Sequence, residues 1–413
     1  MQTESELEIY IHIPFCVKKC LYCDFLSFAY GEEIRSEYLR ALINEIKTFK
    51  QTEEARELSI KAQTVTSVFF GGGTPTVIKK ESLKEILDVL KDTFNISKDA
   101  EVSIECNPGT VDGDYLKSVR QYGFNRLSIG LQSAVDEELK RIGRIHTFAQ
   151  FKDTYNSAVK AGFSNINVDL ISALPGQRIV DVDATLERVL ALNPRPQHIS
   201  SYSLILEEGT GFMEMYEKGL LHLPDEDSER EFHWRIADRL EKEGYRQYEL
   251  SNMAIPGYEC RHNIGYWQGK KYIGFGLGAA SYTGRERFSN TRDMKEYISY
   301  FENKNNKKDD GDLFIPEALE GSTLKDKPYS EKYTLTDGDL ISEFLFLGLR
   351  MTEGISISEF RDRFGKELFE VFGKEIEKHI SEKLLCRQGD RLMLTRKGQD
   401  LANYVFSDFI ISE

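Results

Sequence analysis

The chain has 413 residues, 40% hydrophobic and 30% charged, enough for two or three soluble domains with cores of their own. Its 68 acidic against 54 basic residues leave a formal net charge of −14, which repels phosphate backbones and anionic lipid and makes nucleic acid a poor partner. The acidic N-terminus lacks the basic and apolar parts of a secretory signal, and no apolar run approaches the ~20 residues that span a bilayer. A cytoplasmic protein is expected, with at most peripheral membrane contact.

Apolar strand candidates appear at Leu7–Ile13, Thr66–Phe70, Glu101–Glu105, Arg126–Gln132, Asn165–Leu170 and His198–Leu206. Amphipathic stretches at Arg35–Lys50, Glu81–Lys91, Tyr115–Tyr122, Phe148–Ala161 and Asp183–Leu192 separate them. Strands joined by helix-length crossovers predict an α/β fold with a parallel sheet, and six such units fit a partial (β/α)6 barrel. The rhythm breaks after about residue 210. A helix is expected over residues 225–245, then a Gly-rich, aromatic-rich stretch from Tyr245 to Ser281, then a polar, charged linker over 302–335. The last part predicts helices at Asp339–Leu349, Ile357–Phe364 and Leu368–Lys383, closed by a hairpin over 385–394 with a Gly-Asp turn. The expected domains are a barrel over 1–215, an α+β extension over 216–335 and a small winged-helix-like domain over 336–413.

Six cysteines are present, and Cys16, Cys20 and Cys23 fall within eight residues. In a reducing compartment such clustering reads as metal binding rather than disulfides. Pro14 ends the preceding strand, so the cysteines lie on a loop at a strand's C-terminal end, where a barrel places its chemistry. Three thiolates can bind three irons of a 4Fe–4S cubane and leave the fourth open to a small molecule. Structural zinc wants a fourth Cys or His, and none follows nearby; His12 alternates with apolar positions and reads as packed. Cys106, Cys260 and Cys386 are scattered and read as small buried residues.

Gly71-Gly72-Gly73-Thr74-Pro75 follows the second strand, where glycines let backbone approach a ligand closely. Polar residues close the next four strands: Glu105, Gln132, Asp169 and Ser203. A carboxylate there suits a ribose diol or an ammonium, and Arg144 suits a carboxylate.

The C-x3-C-x2-C loop after the first barrel strand resembles that of the radical S-adenosylmethionine superfamily, and Tyr22 matches its aromatic residue before the third Cys. The resemblance implies a 4Fe–4S cluster on Cys16, Cys20 and Cys23, with S-adenosylmethionine chelating the open iron. It sharpens to the coproporphyrinogen-III-dehydrogenase-like branch through Tyr10-Ile-His-Ile-Pro-Phe-Cys16, Phe69-Phe-Gly-Gly-Gly-Thr-Pro75, Ser103-Ile-Glu-Cys-Asn-Pro108, Leu127-Ser-Ile-Gly-Leu-Gln-Ser133 and Asn167-Val-Asp-Leu-Ile171. Leu347-Gly-Leu-Arg350 and Glu353-Gly-Ile355 extend it to the C-terminal domain. By position, Tyr10, Gly72, Gly73, Thr74, Glu105, Gln132, Arg144, Asp169 and Ser203 are its implied cofactor contacts.

Two groups share this branch: oxygen-independent coproporphyrinogen III dehydrogenases, which decarboxylate their substrate to protoporphyrinogen IX, and haem chaperones, which deliver haem to client haemoproteins. The dehydrogenase pattern has a further Cys two residues past the third, where this chain has Phe25. The dehydrogenases also carry an N-terminal extension, whereas here a strand begins within ten residues. Finally, His262-Asn263-Ile-Gly-Tyr266-Trp267 is similar to the chaperones' H-N-x-x-Y-W segment. An imidazole can ligate haem iron while Tyr and Trp supply flat faces, with Cys260 a weaker candidate; the alternative is a packed aromatic loop with a hydrogen-bonded His. Ala280 stands where the family commonly has a His before Ser281, which disfavours the dehydrogenase. The resemblance favours a chaperone over an enzyme, with haem, client haemoproteins and an electron donor such as a flavodoxin or ferredoxin as partners; the oligomeric state is left open. A DNA-reading tail ranks last, because its basic residues are interspersed with acidic ones.

Overall fold

The structure, a computed structural model describing residues 5–303 and 327–411, is built around a 12-stranded sheet. Its first six strands are β1 (Ser5–Ile13), β2 (Gln63–Gly72), β3 (Ile96–Cys106), β4 (Arg126–Gln132), β5 (Ile166–Ser172) and β6 (His198–Ser203). They lie side by side in chain order and run parallel. Parallel neighbours need long crossovers, and helices Glu32–Phe49, Lys80–Thr93, Gly113–Tyr122, Phe148–Lys160 and Ile179–Leu190 supply them. Two of these start on sequence-readable caps: Asp112 accepts from Tyr115 N at 2.8 Å, and Thr147 forms a capping box with Gln150. The partial (β/α)6 barrel agrees with the alternation in the sequence.

Side-chain alternation explains both its stability and its chemistry. Leu7, Ile9, Ile11 and Ile13 of β1 are fully buried in one core with Tyr38, Leu42 and Ile46 of the first crossover helix. Each such aliphatic side chain contributes about 1.5–3 kcal/mol by leaving water. The alternate residues, Glu8, Tyr10 and His12, face the barrel interior. The same phase puts Ser67 and Phe69 of β2, Glu101 and Glu105 of β3, and Arg126 and Ser128 of β4 on that inner side. The interior is therefore polar, and the C-terminal strand ends carry its functional layer.

Beyond the barrel the sheet grows at both edges. β8 (Asn252–Ala254) adds antiparallel to β6, and β7 (Arg246–Gln247) adds antiparallel to β8. On the other side β9 (Lys271–Phe275) pairs parallel with β1, followed by antiparallel β10 (Ala280–Tyr282), β11 (Glu286–Asn290) and β12 (Tyr329–Thr334). The helix expected over 225–245 spans Glu226–Lys242. β6 stops at Ser203 rather than Leu206. Most of the expected charged linker, residues 304–326, lies outside the described residues, but its end is the edge strand β12. Tyr329 and Lys332 of that strand both reach Glu54, at 2.9 and 3.4 Å.

The C-terminal part has a separate core that includes Leu345, Phe360, Leu368, Phe372, Ile376, Leu392 and Phe409. Helices Asp337–Gly348, Ile357–Phe364 and Leu368–Ser381 precede a hairpin of β14 (Leu385–Gln388) and β15 (Arg391–Leu394), and β13 (Ile355–Ser356) pairs on β15. Helices followed by a hairpin in a three-stranded sheet are the winged-helix-like arrangement expected. Among the described residues no helix is long and apolar enough to cross a membrane.

Candidate functional site

The cysteine loop is laced to its surroundings by backbone. Cys16 N donates to Phe28 O at 3.0 Å, Phe28 N to Pro14 O at 2.8 Å, Leu21 N to Ile142 O at 3.2 Å and Phe212 N to Leu21 O at 2.9 Å. A turn follows, with Cys23 N donating to Cys20 O at 3.3 Å. From below, His12 donates through Nε2 to Leu26 O at 2.8 Å, and its Nδ1 accepts from the Tyr10 hydroxyl at 3.1 Å, a tautomer fixed by that network. Burial pushes the His12 imidazole down to about 4, so it stays neutral and keeps this arrangement at physiological pH.

The glycine segment closes on the same loop. Gly73 N donates to Ile13 O at 2.9 Å and Thr74 N to Phe15 O at 2.7 Å. A Cβ on Gly73 would lie 2.6 Å from Phe15 O, and one on Gly72 (φ +109°) would lie 2.5 Å from His12 Cε1. Only glycine fits at either position. Gly72 N also donates to Glu105 Oε2 at 3.2 Å.

Cys16, Cys20, Cys23, Tyr22, Gly72, Gly73, Thr74, Glu105, Gln132, Arg144, Asp169 and Ser203 all line one cavity of about 370 Å³, within the range of small-ligand sites. Burial raises the Glu105 carboxyl to about 8, the neighbouring Asp169 adds to this, and the Gly72 N–H opposes it. Asp169 is likewise raised by burial, although Ser128 Oγ at 3.0 Å and Asn167 Nδ2 at 2.7 Å hydrogen-bond it. Both carboxyls are raised by burial, so a guest that supplies donors or positive charge favours their ionised form. Gln132 sits at φ +71° where the β4–β5 register shifts, an uncommon conformation for a residue with a side chain.

Three free thiols share this cavity. Burial raises Cys23 to about 11, and the nearby Cys20 and Cys16 add to it, so a cationic partner favours its thiolate. Among the described residues no three His, Cys, Asp or Glu side chains gather tightly enough for a single metal ion. Three free thiols lining one cavity are the donor set a cubane would take. Arg144 stands beside them, with Nη1 3.7 Å from Cys20 Sγ and Nη2 2.7 Å from Asn107 Oδ1. Its Nη2 also donates to Gly130 O, while Nε has no partner among the described residues. Sequence reasoning paired Arg144 with a carboxylate; the structure sets it against the thiols. Asn107 was missed altogether: it ties Arg144 to Thr74 through Nδ2 to Oγ1 at 2.6 Å. The only signal was its place after Glu105-Cys106 at the end of a strand.

Five sequence-predicted site residues lie elsewhere. Tyr10 is stacked on Phe69 below His12, ring centroids 6.3 Å apart, and does not line the cavity. His262, Asn263, Tyr266 and Trp267 occupy a short helix, Arg261–Trp267, that closes the opposite, N-terminal mouth of the barrel. His262 is 2% exposed, hydrogen-bonded to Ser67 Oγ at 2.8 Å and Tyr266 OH at 3.0 Å, and stacked 5.2 Å from Phe69. Burial, with Arg126 nearby, drops the His262 imidazole to about 3. Both ring nitrogens are engaged, so the packed, hydrogen-bonded alternative describes this residue. Cys260 is equally enclosed, its thiol 3.4 Å from Glu101 Oε1, and burial raises it. Glu101 also accepts from Arg261 N at 3.2 Å, and a Cβ on Gly265 would overlap the Glu8 carboxylate. The motif thus docks as a plug on inward-facing carboxyls, and Trp267 alone of its aromatic rings borders a second, outer cleft.

Comparison with known proteins agrees with this architecture. A family model described as the Radical SAM superfamily matches residues 10–189, and one described as the HemN C-terminal domain matches residues 335–401. The chain is thus a radical-S-adenosylmethionine-superfamily protein, a class that uses a 4Fe–4S cluster and S-adenosylmethionine. It is 33% identical over 404 residues to the haem chaperone HemW of Lactococcus lactis, covering 98% of this chain and 97% of the relative. To HemW of Bacillus subtilis it is 34% identical over 403 residues, covering 97% and 98%. The chain belongs to the HemW family. The solved structure of coproporphyrinogen III oxidase HemN from Escherichia coli superposes with a TM-score of 0.79 at 22% identity over 98% of this chain and 90% of that one, a likeness of fold.

Proposed function

We propose that this protein is a haem chaperone: it holds a 4Fe–4S cluster on Cys16, Cys20 and Cys23, S-adenosylmethionine in the adjoining cavity, and haem, which it passes to client haemoproteins. The observation that carries this reading against the dehydrogenase is Phe25. It stands where the dehydrogenase pattern has a further Cys, and it lines the cavity at 63% exposure. The end-to-end similarity to proteins named haem chaperone supports the same choice.

When bound, the cluster supplies an open iron and a single electron. The chain's own groups do the rest. The Arg144 guanidinium offsets thiolate charge beside Cys20, and His12 holds the end of the loop at Leu26. Gly72 and Gly73 let backbone come within reach of the methionine end, while Glu105 and Asp169 accept hydroxyl or ammonium hydrogens. An electron donor of the flavodoxin or ferredoxin class and a cytoplasmic location complete the proposal.

Haem-loaded protein mixed with an apo-haemoprotein gives a Soret band that moves to the acceptor's position faster than free haemin loads the same acceptor. Equal rates with and without the chain would remove the delivery role.

A further inference from the structure

We propose that Asn107 is a positioning residue for the cluster: anchored by Arg144, it turns the Thr74 hydroxyl onto Cys16 Sγ and so raises the potential at which the cluster takes up its electron. This rests on the reading of Cys16, Cys20 and Cys23 as cluster ligands.

A chain of side-chain contacts runs from one thiol to another. Arg144 Nη1 lies 3.7 Å from Cys20 Sγ, and Arg144 Nη2 donates to Asn107 Oδ1 at 2.7 Å. Asn107 Nδ2 donates to Thr74 Oγ1 at 2.6 Å, and Thr74 Oγ1 lies 3.5 Å from Cys16 Sγ. Which groups can donate fixes every direction in it. A guanidinium has no acceptor, so Asn107 presents its carbonyl oxygen to Arg144 and its NH2 to Thr74. Thr74 Oγ1 therefore accepts from Asn107, and its own hydrogen is left for Cys16. A cysteine bound to iron is a thiolate and can only accept. The hydroxyl is thus the donor in the Thr74–Cys16 contact.

The surroundings of Asn107 hold this arrangement in place. Its backbone carbonyl accepts from Thr110 Oγ1 at 2.7 Å, in the turn that follows β3. Arg144 Nη2 also donates to Gly130 O, which spends both of its hydrogens and keeps it on Asn107. A Cβ on Gly130 would lie 2.9 Å from Arg144 Nη2 and 3.2 Å from Asn107 Oδ1, so the glycine makes room for the pair. Thr74 is 1% exposed, and its N–H is committed to Phe15 O. A carboxamide offers an acceptor to Arg144 and a donor to Thr74 at once. Asp at the same position would accept from both, and would draw the Thr74 hydrogen away from Cys16.

The consequence is electrical. One electron from the reductant adds one negative charge to the cluster and its thiolates. A donor aimed at a ligand sulfur stabilises the more negative state, so the Thr74 hydroxyl favours the reduced form.

The test compares wild type, Thr74→Val, Asn107→Asp and the double variant after anaerobic reconstitution without S-adenosylmethionine. Each is assayed for iron and sulfide, then titrated with dithionite and redox mediators while the EPR signal of the reduced cluster is followed. Thr74→Val keeps the shape of the side chain, loads a full cluster and lowers the reduction equilibrium ~5-fold, about 41 mV for a one-electron couple. Asn107→Asp lowers it by more in the wild-type background than in Thr74→Val, where there is no hydroxyl to turn away. A wild-type midpoint in Thr74→Val would overturn the proposal. So would equal Asn107→Asp shifts in the two backgrounds, which would reduce Asn107 to a source of charge. If Asn107→Asp takes up no cluster, the midpoint of Thr74→Val decides alone by the same criterion. Wild-type protein that takes up no iron or sulfide would instead remove the cluster reading itself.

Discussion

Anaerobic reconstitution of a Cys20→Ala variant yields colourless protein with background iron and sulfide, where wild type is brown and loads a full cluster. Cys20 closes the turn to Cys23 and is the thiol nearest Arg144. Removing it leaves two thiolates for a group that needs three protein ligands to present one open iron. The loop itself survives, because its hydrogen bonds to Phe28, Ile142 and Phe212 are made by backbone, so the far-UV spectrum stays that of wild type. Cys106→Ala and Cys260→Ala are the controls. The Cys260 thiol is buried against Glu101 outside the cavity, and the Cys106 thiol, although at the cavity wall, is turned to Asn107 O, so both variants load normally. Full iron and sulfide in Cys20→Ala would refute the ligand assignment.

Gly73→Ala is the second large effect, and it acts through backbone. The new methyl would meet Phe15 O at 2.6 Å and Phe15 N at 2.8 Å, neither of which is the movable end of a side chain. Relief requires parting the strand end from the cysteine loop and stretching the Gly73–Ile13 and Thr74–Phe15 hydrogen bonds. Overpacking of this kind costs about 1–3 kcal/mol, and here the displaced residue is next to Cys16. The variant therefore unfolds at a lower temperature and also loses cluster occupancy. Gly31→Ala makes the contrast: its φ is −71° and nothing lies within 4 Å of the added Cβ, so it behaves as wild type. Identical melting and cluster content for Gly73→Ala and Gly31→Ala would contradict the lacing of the two segments.

The parallel half-barrel could be read in the chain because the first five strands repeat Ile, Leu, Val or Phe on their helix-facing side, and each crossover carries a helical period. The edge strand Tyr329–Thr334 could not. Its sequence, Tyr-Ser-Glu-Lys-Tyr-Thr, is polar on both faces, as suits a sheet edge, and it resembles the linker expected there. β7 and β8 have two and three residues, too few to show any period.

The cysteine cavity was legible for a related reason: its residues sit at the ends of successive strands, so sequence order fixes their layer. The partners that orient them were hidden. Arg144 meets Asn107 across 37 positions, and no local pattern marks that pair. The H-N-x-x-Y-W segment shows the reverse case. It was conspicuous in sequence, but which end of the barrel it covers depends on Glu8, Ser67 and Glu101, three inward-facing residues of other strands. Those contacts enclose His262 and leave Trp267 at the outer cleft.

The measurement that bears most directly on the chaperone reading uses anaerobically reconstituted protein with S-adenosylmethionine and reductant, given either haem or coproporphyrinogen III. A haem chaperone gives a stoichiometric Soret shift with haem and no protoporphyrinogen IX from coproporphyrinogen III. Decarboxylated product would make this chain an enzyme of tetrapyrrole synthesis and overturn the weight placed on Phe25.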